Sequence, residues 1–193
     1  KVNAAGTALL YCGYIGGSGD GMESCDGIAV DASGCAYVIG ATTAIETTFP
    51  VTVGPDLTSN GSRDAFVAKV NAAGTGLVYC GYIGGSNDDA GTGIAVDASG
   101  CAYLSGYTAS TEATFPVIGG LDLTHNGGYN DAFVAKVKAD GTGLDYCGYI
   151  GGSSDDRANK IVVDGLGCAY VIGHTCSTEI TFPVIGGPDL THN

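Results

Sequence analysis

Ile94-Ala-Val-Asp97 sets apolar positions against small or polar ones, and Asp64-Ala-Phe-Val-Ala-Lys-Val70 alternates again. A period of two is the signature of a strand with one buried face. Ala98-Ser99-Gly100 then supplies a tight turn in which glycine can take positive φ, and Cys101-Ala-Tyr-Leu104 reads as the returning strand. Leu77–Ile83 is a further strand, closed by Gly84-Gly85 and separated from the Asp64 strand by a turn at Asn71–Gly74. The pattern predicts four short antiparallel strands, no helix, and a long irregular connection from Tyr107 to Asn130 that Phe115-Pro116 anchors on the sheet.

The pattern then repeats. KVNAAGTALLYCGYIGGS at Lys1 recurs 68 and then a further 67 residues on, as KVNAAGTGLVYCGYIGGS at Lys69 and KVKADGTGLDYCGYIGGS at Lys136. GIAVDASGCAYVIG at Gly27 is matched at Gly93 and Lys160, and TFPV at Thr48, Thr114 and Thr181. Counted from Lys1, the units are 1–68 (entered within a strand), 69–135 and 136–193. The last lacks a DAFVA strand, since DAFVAKV occurs only at Asp64 and Asp131. Repeats of this length imply stacked units, each too small to bury its own apolar face.

The succession GIAVDASG-x-AYV-x-G, FP, DAFVAKVNAAGT and LVY-x-x-Y-x-GGS resembles the SBBP family of bacterial β-propeller repeats, over essentially the whole chain. The resemblance implies an all-β fold of tandem four-stranded blades, and no particular chemistry. Propellers close with about 4–8 blades. Three blades are therefore expected to stay open, as an excerpt of a longer array, as part of a ring shared by two chains, or as units joined head to tail.

The composition narrows the partners. Among 193 residues there are 34 glycines, and the formal net charge of −13 opposes nucleic acid and anionic lipid. No apolar run approaches the roughly 20 residues of a membrane helix. Collagen's glycine at every third position is absent.

The eight cysteines are the most specific departure from the family pattern. Cys12, Cys35, Cys80, Cys101, Cys147 and Cys168 occupy two repeat-equivalent positions, while Cys25 and Cys176 have no counterparts. None has the C-x-x-C spacing of a zinc or redox site. Strands two and four of one blade stand about 9–10 Å apart, beyond the ~7 Å reach of a disulfide. The expected bridges are therefore Cys12–Cys35, Cys80–Cys101 and Cys147–Cys168, each stapling neighbouring blades. Cys25 and Cys176 are left to pair within one molecule or between the tail of one copy and the head of the next. Such bridges imply an extracellular or cell-surface setting. The chain shows no signal-peptide pattern and is read as mature or excised. Asn60-Gly-Ser is a glycosylation candidate, or a plain turn.

Other chemistry is sparse. Asp88-Asp89, Asp155-Asp156 and the more dilute Asp20, Glu23 and Asp26 follow the GGS turns, and read as solvated loops more readily than Ca²⁺ ligands. His125, His174 and His192 have no acid and nucleophile in triad order. The expectation is a non-catalytic structural protein without cofactors, joining other copies of itself into a filament or surface layer. The alternative is a secreted binding module for glycans or proteins.

Overall fold

The computed structural model describes residues 1–18 and 22–192. It contains ten strands and, among the described residues, no helix: β1 (Glu23–Val30), β2 (Ala36–Thr42), β3 (Asp64–Val70), β4 (Leu77–Ile83), β5 (Asp89–Val96), β6 (Ala102–Thr108), β7 (Asp131–Val137), β8 (Leu144–Ile150), β9 (Asp156–Val163) and β10 (Ala169–Thr175). They form two four-stranded antiparallel meanders, β1-β2-β3-β4 and β5-β6-β7-β8, and a two-stranded sheet of β9 and β10. The divisions at 68/69 and 135/136 fall inside β3 and β7, so each sheet is built from the end of one counted unit and the start of the next.

The sheets stack face on face like blades and do not close into a ring. First strands gather along one line, β1 against β5 and β5 against β9. There Lys160 Nζ reaches the carbonyls of Asp26 (3.2 Å) and Thr92 (3.4 Å), and Thr92 Oγ1 donates to Ala158 O at 2.7 Å. Each first strand carries a bulge at the same place: the register shifts between Cys25 and Gly27, between Gly91 and Gly93, and opposite Ile172/Gly173. One extra residue there turns the strand and leaves a backbone carbonyl free for the axis.

Alternation along the strands divides the core into layers. Tyr37, Ile39, Val67 and Tyr79 of the first blade pack on Ile94, Leu104, Val137 and Cys147 of the second. Tyr103 and Val134 then pack on Ile161 of the third. On the other side of the first blade, Phe49, Phe66, Cys80 and Tyr82 form a separate cluster. Phe115 is buried against Phe133 and Tyr149, with ring centroids 5.3 and 5.5 Å away, so the long connection is anchored as its Phe-Pro predicts. Val78 and Asp145 occupy a second bulge, between β3 and β4 and between β7 and β8, where the residue points to solvent.

Candidate functional site

The recurrent D-A-S-G-C-x-Y sequence folds into a small electrostatic tie. Asp31 Oδ1 accepts from the backbone N–H of Ser33 (2.9 Å) and Cys35 (3.0 Å), while Oδ2 accepts from the Tyr37 hydroxyl (3.1 Å). Gly34 turns the chain at φ 84°. The Lys69 ammonium lies 3.6 Å from Asp31 and 4.6 Å from the Tyr37 ring centroid, and the Tyr37 hydroxyl also reaches Gly100 O of the next blade at 3.2 Å. Burial works to raise the Asp31 carboxyl, but these donors and the lysine together hold it below its usual range. Asp97, Tyr103 and Lys136 repeat the arrangement, with Lys136 3.8 Å from Asp97 and 5.0 Å from the Tyr103 ring. In the third unit Asp164 takes the backbone donors of Leu166 and Cys168 and the Tyr170 hydroxyl at 3.1 Å, with no lysine beside it.

A second layer of carboxylates lies at the other end of the strands. Asp89 is fully buried and accepts from Gly85 N (2.7 Å), Ser110 Oγ (3.0 Å) and Thr108 Oγ1; burial nevertheless pushes its pKa up to about 6. Asp156 is held in the same way by Gly152, Ser177 and Thr175. Glu23 takes the place in the first blade and accepts from Gly17 N at 3.0 Å. Asp64 and Asp131 each accept a loop N–H, from Asn60 (2.8 Å) and Asn126 (2.6 Å), and each leaves Oδ1 buried without a hydrogen bond. Burial raises both, Asp131 to about 6. Of the acidic residues after the GGS turns, Asp89 and Asp156 are therefore internal struts rather than solvated. No group of three or more His, Cys, Asp or Glu among the described residues is placed to hold a metal ion. Asp20 lies outside the described residues.

The cysteines correct the expected stapling. All eight are free thiols and no two lie at disulfide distance. The bridges Cys12–Cys35, Cys80–Cys101 and Cys147–Cys168 are not formed, and the cause is strand alternation. Tyr79 faces the second blade, so its neighbour Cys80 faces backwards, into the Phe66–Tyr82 cluster. Cys101 sits on the opposite side of the second blade, with Tyr103 and Ile161. Cys147 faces the first blade, whereas Cys168 is exposed at the end of the third. Burial pushes the Cys80 and Cys147 thiols up to about 12, which makes them unreactive. Cys12, Cys25 and Cys176 are exposed. Asn60 is exposed, but its side-chain amide donates to Asp56 Oδ2 at 2.7 Å.

The histidines do not converge on one site. His174 is exposed, and His192 N donates to Glu179. His125 stands edge-on to Tyr149 with its Nε2 buried and unpaired. It borders a polar pocket of about 470 Å³ lined also by Ser62, Asn87, Asp88, Thr111 and Tyr129. Sequence reasoning missed this pocket because its walls come from three separate loops.

The ends of the stack expose what its middle covers. Ile94 and Ile161 are 8% and 5% exposed, but their counterpart Ile28 on the first blade is 70% exposed. Tyr37 and Tyr103 are 0% and 1% exposed, and Tyr170 is 58% exposed. The head face thus carries Ile28 and Val30 beside a groove of about 590 Å³ lined by Tyr11–Ile15, and the tail face carries Val162, Tyr170 and Ile172. No helix among the described residues is long and apolar enough to cross a membrane. No known family model matches the chain, and no curated protein is significantly similar to it.

Proposed function

We propose that this is a non-catalytic structural repeat protein with SBBP-type blades, which assembles head to tail into a filament or surface layer at or outside the cell surface. The supporting observation is the joint between blades, which is built twice from repeat-equivalent residues: Tyr37, Ile39 and Val67 against Ile94 and Leu104, and Tyr103 and Val134 against Ile161. A joint that uses two different faces propagates, into a ring if the rotation closes and a fibre if it does not. The net charge of −13 keeps free chains apart until salt screens it. Sedimentation velocity and negative-stain imaging over a range of concentrations test the reading. Regular particles that lengthen with concentration are expected; a single species of one-chain mass at every concentration overturns it. Fractionation of the producing cells tests the setting.

The polar pocket favours a second reading, a binding module. The exposed ring of Tyr129 beside Asp88, Asn87 and Ser62 offers a flat apolar face next to hydrogen-bonding groups, the combination that suits a saccharide. Retention on a glycan array by a monodisperse protein, lost in Tyr129→Ala, would favour this reading over assembly.

A further inference from the structure

The polar pocket lies between loops of the two complete four-stranded sheets. Ser62 comes from the connection of β2 to β3, Asn87 and Asp88 from that of β4 to β5, and Thr111, His125 and Tyr129 from that of β6 to β7. Its carboxylate is the half-buried Asp88. Oδ1 accepts the Ser62 hydroxyl, while the Tyr129 hydroxyl comes only to 3.5 Å from Oδ2. Among the described residues no basic side chain forms an ion pair with Asp88.

The repeat-equivalent aspartate has what Asp88 lacks. Arg157 Nε stands 3.0 Å from Asp155 Oδ2, and the Asn130 amide donates to Oδ1 at 2.7 Å. The guanidinium is itself carried by the Tyr107 ring, 4.6 Å from the centroid. At the joint of the first two blades both supports are cut back: Ala90 stands in the place of Arg157, and Ala41 in that of Tyr107. Arg63, the equivalent of Asn130, turns its guanidinium to Ser24 Oγ at 3.2 Å rather than to Asp88. A carboxylate neutralised from within the chain at one joint is thus left bare at the other, and there the loops enclose about 470 Å³.

The neighbouring polar groups are set to accept hydrogen bonds. The Ser62 hydroxyl hydrogen is committed to Asp88, which leaves the oxygen lone pairs. The Asn87 side-chain amide donates to Ala109 O at 2.9 Å, which leaves its own carbonyl oxygen. Acceptors around a carboxylate suit an ammonium, which carries three donors and no acceptor. The Tyr129 ring, 65% exposed, adds a π face that attracts a cation and packs against the apolar face of a sugar.

We infer that the pocket takes an amino sugar, with its ammonium on Asp88 and its ring against Tyr129. This inference rests on the binding-module reading and adds to it the charge of the saccharide. The net charge of −13 favours the approach of any cation, but Asp88 and Tyr129 select where this one settles.

Calorimetric titration at about pH 6, where an aliphatic amine is protonated, compares a glucosamine tetramer with its N-acetylated form. Acetylation removes the charge and two of the three donors, so the free amine is expected to bind about tenfold or more tightly. Asp88→Asn keeps an acceptor for Ser62; it should leave the thermal melt unchanged and abolish the preference. Asp26→Asn removes the same charge outside the pocket and should leave the preference intact. Equal binding of the two sugars, a preference that survives Asp88→Asn, or the same loss in both variants overturns the amine and leaves the binding module standing. If neither tetramer binds, the amine falls, and the binding module falls with it when the glycan array is also blank.

Discussion

The joint between the first and second blades is matched in size at one point, and that point can be tested by a double-mutant cycle. Ile39 is 1% exposed, and a Cβ on Gly91 would stand 2.3 Å from its Cγ1 and 2.4 Å from its Cδ1. Gly91→Ala therefore forces the isoleucine out of place, an overpacking cost of about 1–3 kcal/mol. Against this, alanine is favoured over glycine in a strand by about 0.5–1 kcal/mol, so a net loss of up to about 2.5 kcal/mol remains. Ile39→Ala alone leaves a cavity and costs about 2–5 kcal/mol. Combined, the new methyl enters the vacated space, and the double variant should be at least about 1 kcal/mol more stable than the sum of the singles predicts. Equivalent positions in the next joint carry a smaller residue opposite a larger one than Gly91, Ser105 with Ala158, so a complementary pair is compatible with the fold. Urea unfolding followed by tyrosine fluorescence measures all four proteins. Strict additivity would refute the size-matching argument.

Two further outcomes follow from the same geometry. Asp89 and Asp131 have folded pKa values of about 6, above the unfolded value of about 3.9. The folded state therefore holds more protons between those values, and these groups make stability fall as pH rises from about 4 to 6. Thermal melts of Asp89→Asn should show a shallower fall than the unaltered chain; an unchanged slope contradicts the assignment. Ellman titration under native conditions should label Cys12, Cys25, Cys168 and Cys176 quickly and leave Cys80 and Cys147 until the protein unfolds, whereas disulfides would leave fewer than eight thiols in denaturant.

The strands were legible because each repeat spells them in the same order: alternation in Asp64–Val70, a glycine-bearing turn at Asp97–Gly100, and paired glycines after Ile83. Phe115-Pro116 was legible as an anchor for the same reason, a bulky apolar residue in a polar loop. The cysteine pairing was not. Spacing reports which strand a residue belongs to, but one step along a strand reverses the face it presents, and Tyr79 and Cys80 are one step apart. Bridges would imply an oxidising compartment, and the eight free thiols carry no such implication. The burial of Asp89 and Asp156 is not legible either, because a sequence shows acids after a turn, not the serine and threonine that fold back from 19–21 residues further on.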